Sequence, residues 1–389
     1  VSERLGIVGN PADLDEVLAL CAGLNVEPVL MLAPGEVPFL STTTVIALPD
    51  WSVDPCAVLL RDASLAGLWP GTCERSRFVQ ELSFALDLPH LPCLNERQPA
   101  ALPIAGATLF DFSDLDHPNA PAVARLPIPA WVRAACTRGD SSCMRLEHPN
   151  DLSLAWAKLR KRGMEGPIRI QPVVEGLVYR LLAFKAGSAL VMAGLIGEEV
   201  TSSVYRVPLS MSIPAEGHDT LLEEANALAS QVNVGLPEGW GYVELEFVDT
   251  KDGLCLVDVQ CPARLDSHLC RLIELSQGID LRRASLQCAL GRVPEIAPSR
   301  NTGVAFTWLL TRSGVVTGLQ GLDKAREMPG VVEVNIVAEE GHILSHVVDI
   351  PSRERGGYII ATGNTAAEAR ARLEAARSTV WINTSPALF

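Results

Sequence analysis

The chain has 389 residues, 48% of them hydrophobic and 20% charged. That length suggests two or three domains, and the composition excludes a disordered or fibrous protein. A net charge of −14 with no basic stripe argues against a nucleic-acid partner, and the longest uncharged apolar stretch, 186–197, is shorter than the roughly 20 residues of a membrane-crossing helix.

The opening VSERLGIVGN has neither the basic nor the long apolar segment of a signal peptide. Ten cysteines show no CxxC and no zinc-knuckle spacing, and read as small buried hydrophobes in a reducing compartment. A cytoplasmic protein is expected.

In chain order, 4–9 (RLGIVG) reads as a strand, 13–24 as a helix with Leu14, Val17, Leu18 and Cys21 on one face, and 26–32 as a second strand. This βαβ start predicts a parallel sheet, with 44–48 as its third strand. Gly6 and Gly9 form an incomplete GxGxxG and read as a plain tight turn. The proline-rich, aperiodic stretch 89–130 marks a boundary.

Strands at 131–135 and 143–146 flank the loop TRGDSS (137–142). A helix over 151–162 follows, with Asn150 as its cap and Gly163 as its stop, then strands at 168–174, 178–184 and 189–196. Thr220 and Glu223 read as a capping box that opens a helix. Residues 242–248 and 254–260 form a hairpin around DTKDG, and helices follow over 266–276 and 280–290. The last segment holds strands near 303–310, 332–338, 343–349 and 358–362. It ends in an Ala-rich helix opened by a second capping box, Thr365 to Glu368. The expected domains are 1–125, 126–295 and 296–389.

The hairpin at 242–260 is the most informative place for chemistry. Alternation puts Glu244, Glu246 and Val248 on one face of its first strand. On the second strand it puts Leu256, Asp258 and Gln260 on one side and Val257 and Val259 on the other. If apolar faces stay together, Glu244, Glu246 and Asp258 share a face. Clustered carboxylates need a positive partner, and Mg²⁺ with its preference for oxygen ligands is the natural one. An ordinary solvated polar face is the competing reading. His342 and His346 lie four apart on a strand and read as a surface or core pair.

The segment GYVELEFVDTKDGLCLVDVQCPARLDSHLCRLIELSQGIDLRRASLQCALG (241–291) resembles the catalytic stretch of the ATP-grasp superfamily. In that family a Glu-Phe strand and a Glu-x-Asn-x-Arg strand hold Mg²⁺ against ATP. Residues 314–376 look like the C-terminal domain of its L-amino-acid-ligase and biotin-carboxylase-like branch. WVRAACTRGDSSCMRLEHPNDLSLA (131–155) has the outline of the phosphate loop, and IRIQPVVEG (168–176) that of the adenine hinge.

The resemblance covers roughly 130–383. It implies an α/β and α+β chain: a Rossmann-like N-terminal domain with a doubly wound parallel sheet, an ATP-grasp domain of two α+β subdomains, and a small C-terminal α+β domain. It implies ATP and Mg²⁺, with small-molecule carboxylate and amine substrates joined through an acyl phosphate, and a homodimer or an enzyme partner. Residue by residue, it implies Arg133 and Arg145, with Arg169, on phosphate, and Gln171, Val174 and Glu175 along the nucleotide. Glu246 and Asp258 fall on Mg²⁺, Arg264 on the substrate carboxylate or acyl phosphate, and His268 in the substrate pocket.

The sequence departs from that pattern. No lysine precedes Lys158, so Arg133 stands where a phosphate lysine is usual, and the loop 137–142 has a single glycine. Anchored on Asp258, the metal pair reads Asp258 and Gln260, and Arg264 falls two residues late. Anchored on Arg264, it reads Gln260 and Pro262; only Glu246 matches in both. The departures leave a second expectation open: a degenerate homologue that is a binding or scaffolding partner of another enzyme, or one that uses the fold without nucleotide.

Overall fold

The computed structural model describes residues 3–11, 13–36, 43–72, 75–90, 102, 104, 106–110, 126–134, 144–161, 168–201, 207–214, 218–261, 265–345 and 356–386. The chain opens with β1 (Glu3–Val8), α1 (Leu14–Gly23), β2 (Val26–Leu32), β3 (Thr44–Ala47), α2 (Val53–Leu60), β4 (Leu65–Pro70) and α3 (Ser76–Ala85). The four strands form a parallel sheet in the order β3-β2-β1-β4.

Alternation sends Leu5 and Ile7 of β1 to the side covered by Leu14, Val17 and Cys21 of α1. Val8, Val29 and Met31 face Cys56, Leu60, Phe78 and Leu82 of α2 and α3 on the other side. Helices on both faces make the sheet doubly wound. Gly6 lies inside β1, where a Cβ would come within 2.6 Å of Met31 and Leu68, so it is a packing glycine.

A second sheet is built from β5 (Thr108–Phe110), β6 (Ala130–Ala134), β7 (Met144–Leu146) and β8 (Ile168–Pro172), in the order β5-β8-β6-β7. Its apolar face (Ala130, Val132, Ile168 and Ile170) is covered by Leu152 and Ala155 of α4 (Asp151–Lys161). Trp131, Arg133, Arg169 and Gln171 therefore occupy the opposite face. β5 falls within the 1–125 range but pairs with β8.

The rest of the chain contributes β9 (Leu177–Gly187), β10 (Ala189–Val200), β11 (Pro208–Ile213), α5 (His218–Gly235), β12 (Gly239–Thr250), β13 (Gly253–Gln260), α6 (Ser267–Gln277) and α7 (Leu281–Ala289). Then come β14 (Gly303–Trp308), β15 (Gly314–Gln320), α8 (Leu322–Arg326), β16 (Val331–Ile336), β17 (Ile343–Leu344), β18 (Gly357–Gly363), α9 (Ala366–Arg377) and β19 (Trp381–Ser385). An eight-stranded sheet runs β13-β12-β9-β10-β11-β14-β18-β16. Because β14 pairs with β11, strands from the last segment extend the sheet of the central one. β15 and β19, absent from the sequence reading, form a small sheet with β17.

Ala225, Ala229 and Val232 of α5 cover one face of the large sheet, against Leu181, Val243, Leu245, Phe247 and Val259. α5 begins at His218, so Thr220 lies in its first turn and the expected Thr220–Glu223 box does not open the helix. The second box forms in part: Thr365 Oγ1 accepts from the Glu368 N–H at 3.1 Å, while the Glu368 carboxylate reaches the Asn364 N–H at 2.7 Å.

α7 packs against both the large sheet and the N-terminal sheet. Leu286, Ala289 and Leu290 join the α1-side core, and Trp69 Nε1 donates to Ser285 Oγ at 3.2 Å. Gly67 on β4 is needed for this approach, since a Cβ there would collide with the backbone oxygen of Ala289.

Candidate active site

The face of the large sheet opposite α5 packs against α6 and α7 over part of its area and is charged where it meets the small sheet. β9 reads LVYRLLAFKAG, and Arg180 interrupts its apolar run. In the register Arg180 lies opposite Glu246, Leu182 opposite Glu244, and Val178 opposite Glu198. Glu246 in turn faces Asp258, and Glu244 faces Gln260. Period-two alternation therefore gathers Arg180, Glu198, Glu244, Glu246 and Asp258 on one face, as expected for the three hairpin carboxylates.

Arg180 is the cation inside this cluster. Its Nε lies 2.9 Å from Glu198 Oε1, and its Nη1 donates to Glu244 Oε2 at 2.6 Å. Burial works against the guanidinium's charge, but Glu198, Glu244 and Glu246 outweigh it and hold the pKa well above the usual arginine value. For Glu244 burial wins over Arg180, and its pKa is raised.

The hairpin carries a β-bulge. Glu246 pairs with Asp258 but Phe247 pairs with Leu256, so Val257 is the extra residue. This corrects the simple alternation expected for β13. Leu256 turns in with Val259 toward α5, and Val257 packs instead with Val178 and Val248. The carbonyl of Val257 accepts from Gln171 Nε2 at 3.2 Å.

On the small sheet, Arg133 and Arg169 lie directly opposite each other on β6 and β8. Two like charges in that position repel unless an anion sits between them, and Asp258 is that anion. Arg133 Nη1 donates to its Oδ2 at 2.6 Å, and Arg169 Nη2 pairs with its Oδ1. Gln260 Nε2 adds a bond to Oδ2 at 2.8 Å, and the Val259 N–H one to Oδ1 at 3.0 Å. The three ionic side chains are only 2–3% exposed. Burial alone would raise the Asp258 pKa, but Arg169 and Arg133 together pull it well below the usual carboxylate value.

The remaining candidates are less closely gathered. Arg145, opposite Trp131 on β7, pairs with Glu147 at 2.6 Å. Val174 packs against the Val178–Val248–Val257 cluster, and Glu175 is exposed. His268 lies in the first turn of α6, where Asp266 caps the helix by accepting from the His268 and Leu269 N–H groups. Its ring stands edge-on to Phe306, Trp308 and Tyr358. Arg264, the loop 137–142 and His346 fall outside the described residues, and His342 is exposed beside Glu339. Sequence reasoning missed Arg180 and Glu198. The signal for Arg180 was a charge set within an otherwise apolar strand, which demands a partner.

Two guanidiniums aimed at one anion suit phosphate oxygens. The carboxylates suit Mg²⁺ poorly as they stand. Both oxygens of Asp258 accept N–H groups, and Glu198 and Glu244 are engaged by Arg180. Among the described residues no group of three or more His, Cys, Asp or Glu is arranged to hold a metal ion. Of the expected Glu246–Asp258 metal pair, Asp258 is held by Arg133 and Arg169 in this arrangement, and Glu246 lies opposite Arg180.

Residues 307–385 match the family model for L-amino acid ligase C-terminal domain 2. The chain superposes on the crystal structure of L-amino acid ligase from Bacillus licheniformis with a TM-score of 0.71 and 16% identity, covering 99% of each chain. Against carboxyaminoimidazole ribonucleotide synthase from Aspergillus clavatus, a structure complexed with ATP, the TM-score is 0.66 at 12% identity, covering 97% of this chain and 98% of that one. In sequence it is 24% identical over 177 residues to the uncharacterized protein y4rH of Sinorhizobium fredii (strain NBRC 101917 / NGR234); the match spans 45% of this chain and 36% of that protein.

The architecture is the ATP-grasp fold. It has a parallel-sheet N-terminal domain, and the family-model match lies in its last segment. No helix among the described residues is long and apolar enough to cross a membrane.

Proposed function

We propose that the chain is an ATP-dependent ligase that joins a small-molecule carboxylate to an amine through an acyl phosphate. The observation that carries this reading is the placement of Arg133 and Arg169 on one sheet opposite Asp258 and Glu246 on the other, at the meeting of the two sheets. The L-amino acid ligase domain at 307–385 supports the same chemistry.

In this reading Arg133 and Arg169 bind phosphate oxygens and draw off the charge that develops on the transferred phosphoryl group. The substrate carboxylate oxygen attacks the γ-phosphorus, and the bond to ADP breaks. The amine nitrogen then attacks the acyl carbon and phosphate leaves, with the amine proton passing to solvent. Arg264, carried over from the family resemblance, neutralises the carboxylate and then the oxyanion. Val174 and Gln171 flank the nucleotide. The site's carboxylates do not fit Mg²⁺ as arranged, so no step is assigned to it.

The test is to incubate the protein with ATP and pairs of amino acids and measure ADP together with the condensed product by mass spectrometry. ADP and product formed in equal amounts support the reading; neither, across the amino-acid set, sinks it. The Asp258 clamp favours a second reading, in which the fold is kept without nucleotide turnover and serves as a binding partner of an active enzyme. It predicts no ADP in the same assay and copurification with a second protein.

A further inference from the structure

We propose that the carboxylate of Asp258 is an internal stand-in for a phosphate group, plugging a metal-independent polyphosphate site formed by Arg133 and Arg169. The inference rests on reading the meeting of the two sheets as a nucleotide site only for the kind of anion it takes.

Three observations carry it. First, the two arginines are cross-strand neighbours, an arrangement that is unfavourable without a shared anion. Second, Asp258 reaches them from the other sheet, 125 and 89 residues away in sequence, and is buried with them. Third, its two oxygens receive four N–H donors, from Arg133, Arg169, Gln260 and the Val259 backbone. Several charge-assisted donors converging on one small anion form the coordination shell of a bound phosphate. Here the shell is filled from within the chain.

A polyphosphate chain that enters must displace the Asp258 carboxylate. Because guanidiniums rather than a divalent ion neutralise it, the site holds such an anion without Mg²⁺. Removing the internal anion leaves the site vacant for an external one.

The test is isothermal titration of the full chain and of Asp258→Asn with inorganic tripolyphosphate, ATP and adenosine, all in EDTA. The expected result is tripolyphosphate affinity at least about tenfold higher for Asp258→Asn than for the wild type. A further Arg169→Gln change should abolish that gain. Equal affinity in the two proteins, or binding that needs a divalent ion, overturns the proposal.

ATP bound as well as tripolyphosphate, with adenosine inert, marks a nucleotide as the natural occupant. Tripolyphosphate without ATP marks an inorganic chain; either supports the anion site. If Asp258→Asn does not fold in plain buffer, circular dichroism is repeated with millimolar tripolyphosphate. Restored structure supports the proposal, and continued unfolding overturns it. ADP release by the wild type is scored separately, so loss of the ligase reading and loss of the plug are distinguishable.

Discussion

Arg133 on the four-stranded sheet donates to Asp258 on the eight-stranded sheet at 2.6 Å, and both side chains are buried. The bond fastens the two sheets to each other, and Arg169 doubles it. Desolvating three charges costs several kcal/mol each, which the mutual attraction offsets only while all of them are present.

Breaking the group should therefore cost more than replacing it. Asp258→Ala is expected to lower stability by about 3–5 kcal/mol, because two buried guanidiniums lose their anion. The triple change Arg133→Met, Arg169→Met, Asp258→Leu should cost much less. Urea unfolding of the three proteins checks the ordering.

Acid should act through the same carboxylate. The folded-state pKa of Asp258 lies below its unfolded value, so its contribution is fully present above about pH 4 and is lost as pH falls through the folded pKa. Glu244, raised in the folded state, contributes with the opposite sign: its share is present below its unfolded pKa and lost as pH rises through the folded one. Urea midpoints measured from neutral pH down to about pH 2 should fall for the wild type below about pH 4. The same curve should be flatter for Asp258→Asn.

Arg180 pairs directly with two buried carboxylates. Arg180→Met strands the buried Glu198 and Glu244, and a loss of about 3–5 kcal/mol is expected. Lysine at this position cannot reproduce the forked contact, so Arg180→Lys should recover only part of the loss. Thermal or urea unfolding distinguishes the two variants.

Gly67 tests the docking of α7 on the N-terminal sheet. Gly67→Ala places a methyl group against the backbone of Ala289, and a loss of about 1–3 kcal/mol is expected from the forced shift. Limited proteolysis should then cut at the ends of α7 faster than in the wild type.

Much of the site was legible in the sequence because strand alternation is a local rule. Glu244, Glu246 and Asp258 fall on one face for that reason alone. The bulge at Val257 was not legible, since Leu256 and Val257 are both apolar and either can turn inward. Arg180 and Glu198 escaped notice because the pairing depends on strand register, with the partners of Arg180 lying 18 and 64 positions away. The contacts of Asp258 with Arg133 and Arg169 run between separate sheets, and no pattern within one segment encodes them. In the fold, β15 and β19 were missed, although β18 and α9 were read closely.

The most direct test of the central claim is isothermal titration of the wild-type chain with ATP, with and without Mg²⁺. The account predicts saturable binding that persists without Mg²⁺ and is weakened at least about tenfold in Arg133→Met. No heat up to millimolar ATP, in either condition, would contradict it.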